Sequence, residues 1–203
     1  MDPEISALAR RTRGFMPESE GLALHTAVLG LQVPGPVLEI GAYCGLSSLY
    51  LGDAARSSGR LVFSVDHHRG SEENQAGWDH HDPGVVDPTS GRIDTLPFFR
   101  RTIAEAGLEG TVVAVVGESV AVAESWGPAV AMLFIDGGHA EAVAMADYRA
   151  WARRVVDGGV MAIHDVFADP REGGQAPFTV WRQALRDGYR EAGCVGSLRL
   201  LRR

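Results

Sequence analysis

Residues 36 to 45 read Pro36-Val37-Leu38-Glu39-Ile40-Gly41-Ala42-Tyr43-Cys44-Gly45, and this stretch decides the fold. A short apolar strand carries one acid and runs into a turn with glycines at 41 and 45. A helical pattern follows over 47–55. Glycines let the backbone turn tightly and let a ligand approach it closely, and the helix start offers the positive end of its dipole. At the first strand of an α/β sheet, such a turn is where nucleotide-like cofactors sit.

The rest of the chain repeats the alternation. Strand patterns fall at 37–40, 61–65, 112–116, 132–135 and 160–163, each short and apolar. Helical patterns lie between them at 47–55, 95–106, 120–124 and 140–155. In the last, Val143, Ala146, Trp151 and Val155 recur at helical spacing. Strands alternating with helices imply a doubly wound, Rossmann-like parallel sheet with right-handed crossovers. The tail departs from this: a helix over 178–187, then strands at 189–195 and 197–202 joined around Gly196, an antiparallel hairpin. Seven strands are expected in all. Residues 1–30 read as an N-terminal helical cap and 31–203 as the main domain. Within it, 67–94 form a long polar loop expected to act as a lid, and it carries four of the seven histidines.

Composition narrows the partners. In 203 residues the formal net charge is −7, with no basic face for a phosphate backbone, so nucleic acid is not expected as a partner. All 19 basic residues are arginine, which removes lysine from every catalytic scheme. Cys44 and Cys194 lack metal-type spacing and suit a reducing compartment. The start of the chain does not read as a signal peptide, and no apolar run is long enough to span a bilayer. A soluble cytoplasmic protein without a membrane partner is the expectation.

Asp66 closes the second strand pattern, about 20 residues after the glycine turn, where a carboxylate can accept ribose hydroxyls; a helix or loop cap is the alternative. Ribose is common to NAD and S-adenosylmethionine, so Asp66 does not separate them. The turn helps. A dinucleotide fingerprint has a second glycine that admits a pyrophosphate, and Tyr43 stands there, so a cofactor without phosphates is preferred. A second constellation is Phe134-Ile135-Asp136-Gly137-Gly138-His139, and the next strand ends Ile163-His164-Asp165. Both deliver polar groups to the same sheet edge. Asp136, His164 and Asp165 are candidate ligands for Mg²⁺ or, with an imidazole in the set, Mn²⁺. Helix caps and a core histidine are the other reading. His139 is the candidate general base, because imidazole titrates near neutrality. Of the pairs His67-His68 and His80-His81, at most one member each faces a site, since neighbours in extended chain point opposite ways. Trp78 and His80 are candidate substrate contacts.

At these residues the chain resembles a class I S-adenosylmethionine-dependent methyltransferase. The run 38–45 is similar to the first motif of the catechol O-methyltransferase family, and the order continues through Asp66, residues 116–119, Asp136 and Gly158-Gly159-Val160. The resemblance implies cofactor contacts from Glu39, Gly41, Ala42, Tyr43, Gly45 and Ser47, ribose contacts from Asp66 beside His67, adenine contacts from Gly117 to Ser119, and a role for Asp136 in cofactor and metal. Catechol-type enzymes carry a lysine three residues after the first metal-binding aspartate; here that residue is His139. This looks closer to macrolide-sugar and cephalosporin-biosynthesis O-methyltransferases, where Asp-x-x-His supplies ligand and base and an acidic pair completes the metal site. Here the pair is His164-Asp165. The implied activity is metal-assisted O-methylation of a hydroxylated small molecule, with Asp136 and His139 catalytic and a homo-oligomer the modest expectation. The alternatives are an NAD-dependent oxidoreductase and a non-catalytic cofactor-binding module of the same fold.

Overall fold

A computed structural model describes residues 1–75, 77–78 and 81–203. Two N-terminal helices, α1 (Pro3–Ala9) and α2 (Glu18–Leu29), precede β1 (Val37–Ile40) and α3 (Leu46–Ser57). Then come β2 (Val62–Asp66), α4 (Leu96–Glu105), β3 (Val112–Val116), α5 (Ser119–Ser125), β4 (Val130–Ile135) and α6 (Glu141–Trp151). The chain ends with β5 (Val155–Ile163), α7 (Ala176–Arg186), β6 (Arg190–Val195) and β7 (Leu198–Arg202).

The seven strands form one sheet in the order β3-β2-β1-β4-β5-β7-β6. The first five run parallel, and β7 pairs antiparallel with both β5 and β6. The expected Rossmann-like sheet with its closing hairpin is what the chain forms. Strand order reverses between β1 and β4, which register Val37 against Met132 and Ile40 against Ile135. The crevice outside the carboxyl ends at such a switch point is where α/β sheets bind ligands.

Helices cover both faces, so β1 and β4 are buried along their whole length and read as continuous apolar runs rather than alternating ones. On one face, Leu24 and Val28 of α2 and Leu49 and Leu51 of α3 pack with Val37, Met132 and Phe134. On the other, Tyr148 and Trp151 of α6 and Val180 of α7 pack with Leu38, Leu133 and Met161. The N-terminal helices thus share a core with the sheet. Among the described residues no helix is long and apolar enough to cross a membrane.

Two boundaries differ from the sequence reading. The helix expected over 140–155 stops at Trp151, and after a 3₁₀ turn at Ala152–Arg154 the strand expected from residue 160 already starts at Val155. Val155 pairs with Val130, and the register shifts before Met132. Gly158, at φ 78°, and Gly159 absorb that irregularity. The 67–94 loop also has more order than its composition suggests. It contains 3₁₀ turns at Glu72–Asn74 and Pro83–Val85 and a bridge between Val86 and Ile93, and it buries Val85 and Ile93 against Cys44.

Glu39 anchors the switch point. It is fully buried in β1. Its Oε1 accepts from Ser47 at 2.5 Å, and its Oε2 accepts from Ser48 and Ser64, both at 2.5 Å. One carboxylate therefore joins β1, β2 and the first turn of α3. Burial pushes its carboxyl from the ordinary 4.5 up to about 7, against the pull of the three serines. The unfolded chain loses this proton near pH 4.5, whereas the folded chain holds it to about 7. This group's contribution to stability is thus full below pH 4.5 and is lost as pH rises through 7. Glu39→Gln is expected to gain stability relative to wild type over that interval, measured by urea unfolding at about pH 4.5, 6 and 8. A difference constant with pH would show that Glu39 titrates alike in both states. Glu39→Ala, which strands three buried hydroxyls beside a cavity, is expected to lose about 2–4 kcal/mol at about pH 4.5, a deficit that narrows as pH rises through 7 because only the wild type carries the titrating group.

Candidate active site

The cavity over the carboxyl ends of β1, β2, β4 and β5 has a volume of about 590 Å³. The glycine turn forms its floor. Gly41, at φ 86°, comes so close to β4 that a side chain there would lie 2.0 Å from the Asp136 carbonyl. Gly45 caps α3 at φ 93°. Tyr43 also takes positive φ, 46°, a conformation that non-glycine residues adopt only when their surroundings hold them there. Asp66 supplies that hold. Its Oδ2 accepts from the backbone N–H of Ala42 at 2.9 Å and of Tyr43 at 2.8 Å, and its Oδ1 accepts from His68 N–H at 2.7 Å. Of about four lone-pair positions on a carboxylate, three are occupied, leaving room for a single ligand hydroxyl.

Of the residues named from sequence as cofactor contacts, Gly41, Ala42, Tyr43, Ser47, Asp66, His67, Gly117, Ser119 and Asp136 line the cavity. Glu39 and Gly45 do not. Glu39 faces away beneath α3 with its oxygens taken by serines, and Gly45 packs against Phe99 and Thr102. His67 faces the cavity while His68 is buried with Nδ1 2.8 Å from Thr95 Oγ1, so the two neighbours do point apart. Trp78, expected to touch substrate, is 54% exposed and stands outside the lining. His80 lies outside the described residues.

Asp136, His139, His164 and Asp165 converge at the ends of β4 and β5. His164 Nδ1 lies 3.0 Å from Asp136 Oδ1 and 3.4 Å from Asp165 Oδ2. His139 Nε2 lies 3.5 Å from Asp165 Oδ2. The ligand atoms of Asp136, His139 and Asp165 all fall within 4.8 Å of one another. Two carboxylates and an imidazole at such spacings fit a divalent cation, because donors each about 2.1 Å from one ion lie roughly 3 Å apart. His139 is therefore within ligand reach. Asp165 sits at φ 54°, turning its carboxylate back toward the imidazoles.

Sequence reading missed three acids here, Glu20, Glu73 and Asp147. Glu20 of α2 accepts from His164 Nε2 at 2.6 Å, and Glu73 from the long loop lies 3.1 Å from His139 Nδ1. Glu118 and Asp147 line the wall near Ser119, whose Oγ accepts from Trp151 Nε1 at 2.8 Å. Asp147 gives a weak sequence signal, an acid among the apolar residues of α6; Glu20 and Glu73 give none, since their partners are far along the chain. The acids set the local electrostatics. Burial would pull both imidazoles down, yet Asp136, Asp165 and Glu20 drive His164 up to about 12. Glu73, Asp165 and Asp136 leave His139 above its ordinary value. Burial would raise Asp165, but His164 and His139 hold it below the usual carboxylate range. Burial pushes Asp147 up to about 6. Among the described residues lining the cavity, seven are acidic and Arg13 is the one arginine, itself paired with Asp82.

Residues 38–166 match a family model described as a methyltransferase domain. Among solved structures the chain is similar to the O-methyltransferase TomG from Streptomyces achromogenes, involved in tomaymycin synthesis and solved in complex with SAM. Identity is 18% and the TM-score 0.65, over 100% of this chain and 90% of that one. It is also similar to the SAH-bound methyltransferase PaMTH1 of Podospora anserina (13%, TM-score 0.68, 100% and 88%). An O-methyltransferase from Bacillus cereus in complex with SAH gives 17% and a TM-score of 0.65 over 100% and 92%. At these identities the likeness is one of fold.

The brace at Asp66 is made by three backbone N–H groups of the turn and its neighbour. Asp66→Ala removes three charge-assisted hydrogen bonds and is expected to cost about 2–4 kcal/mol in urea unfolding of the ligand-free protein. Wild-type stability in that variant would mean that the turn is held by its glycines alone.

Proposed function

The chain belongs to the methyltransferase-domain family, and from that membership we propose that it is an S-adenosylmethionine-dependent O-methyltransferase acting on a hydroxylated small molecule with the help of a divalent cation. The observation that carries the cofactor is the charge of the cavity. At a phosphate-binding turn the backbone N–H groups are free to meet an anion. Here Asp66 already occupies those of Ala42 and Tyr43, and the wall is acidic. Such a surface repels a pyrophosphate and suits a sulfonium cation. Complexes of similar folds with SAM and SAH support the same reading.

Phe15, Ser71, Glu73 and Phe167 line the cavity, and in this reading they form the acceptor side. A divalent cation held by Asp136, His164 and Asp165 would polarise the acceptor hydroxyl as a Lewis acid. His139 is fixed through Nδ1 by Glu73, so its Nε2 is the atom that takes the hydroxyl proton. S-adenosylmethionine, held along the glycine turn and by Asp66, would supply an activated methyl for the acceptor oxygen and would leave as a neutral thioether. The chain contributes alignment and proton removal, because the methyl arrives already activated. The Arg13–Asp82 pair ties the segment after α1 to the long loop, so two segments beside the cavity are joined.

Calorimetry with S-adenosylmethionine, S-adenosylhomocysteine and NAD is expected to give binding of the first two only; tight NAD binding alone would overturn the assignment. With sugar and phenol acceptors in a methylation assay, His139→Ala should keep cofactor affinity and lose about a hundredfold or more in turnover. Unchanged turnover would remove His139 as the base. EDTA should abolish turnover and Mg²⁺ or Mn²⁺ restore it; insensitivity to EDTA would remove the exchangeable cation.

A further inference from the structure

We propose that Glu20 is the positioning residue of the cation site, selecting which nitrogen of His164 faces the ion; this rests on the cation reading above. A histidine ligates through one ring nitrogen, and the hydrogen bond at the other decides which. His164 is 4% exposed. Its Nδ1 faces Asp136 and Asp165, while its Nε2 lies 2.6 Å from Glu20 Oε2. A carboxylate can only accept there, so Nε2 keeps its proton, and Nδ1, which donates to Asp136, is the nitrogen at which a cation would take the proton's place.

Glu20 is itself built into place. It is 3% exposed, far below what an unpaired acid tolerates. Its Oε1 accepts from Ser197 N–H at 2.8 Å in the turn between β6 and β7. Gly196, at φ 53°, makes the notch: a side chain there would lie 2.1 Å from Oε1. Ser197 Oγ lies 3.2 Å from Glu20 Oε2 and 3.4 Å from Asp165 Oδ1, so the same hub reaches a second proposed ligand. One oxygen serves the hairpin and the other serves His164, and both must accept.

That double demand makes Glu20→Gln informative. Glutamine has one acceptor oxygen, which the Ser197 N–H claims, so its NH₂ turns toward His164 Nε2. With a donor facing Nε2, the ring keeps its one proton on Nδ1, which blocks the nitrogen that faces Asp136. Calorimetric titration with Mn²⁺ is expected to show binding about tenfold to a hundredfold weaker in Glu20→Gln than in wild type, with S-adenosylmethionine affinity unchanged. Equal Mn²⁺ affinity in the two proteins would overturn the role of Glu20 while leaving the cation reading intact; no Mn²⁺ binding by wild type would overturn both. A second measurement needs no variant. Nitrogen-15 spectra of the Mg²⁺-loaded wild-type protein should show His164 protonated at Nε2, and a proton on Nδ1 instead would overturn the proposal even if Glu20→Gln fails to fold.

Discussion

A buried carboxylate bound by three serine hydroxyls holds the rest of this molecule in order. Removing Glu39 from water is expensive, and the structure offsets that cost with Ser47 and Ser48 from α3, Ser64 from β2 and the positive end of the α3 dipole. The arrangement requires the first turn of α3 to sit directly over β1 and β2. That in turn fixes the path of the glycine turn, and only along that path do the N–H groups of Ala42 and Tyr43 meet Asp66. One acid beneath the turn and one above it define the floor of the cavity, and the floor aims Asp136 across the switch point.

Strain is placed with equal economy. The described non-glycine residues with positive φ are Tyr43, His68 and Asp165, and all three belong to this edge of the sheet. Each is held by neighbours: Tyr43 N–H and His68 N–H donate to Asp66, and Asp165 meets both imidazoles. Backbone held off its preferred basins by many partners is the usual condition of side chains that must keep one geometry.

The sheet was legible because its information is local. The apolar run at 37–40, the glycines that follow and the alternation of strand and helix each express themselves within a few residues. Asp136, His139, His164 and Asp165 were legible for the same reason, since the end of a strand places them on the sheet edge. Glu20 and Glu73 were not. Glu20 lies 144 residues from His164 and 177 from Ser197, and Glu73 lies 66 from His139, so only the packed structure brings them together. Glu39 shows the converse limit. Its position in the motif suggested a ligand contact, but strand alternation turns its side chain to the face beneath α3, where hydroxyls take both oxygens. Trp78 drew attention by type, a large ring in a polar loop, and it stands exposed outside the cavity lining.

The notch at Gly196 that receives Glu20 joins the second helix to the last hairpin. During synthesis, α2 leaves the ribosome long before β6 and β7, so the parallel strands can form while Glu20 still lacks the Ser197 N–H. The proposed cation site therefore belongs to the last stage of maturation. A nascent chain carrying the whole glycine turn thus acquires a settled His164 only when the hairpin arrives.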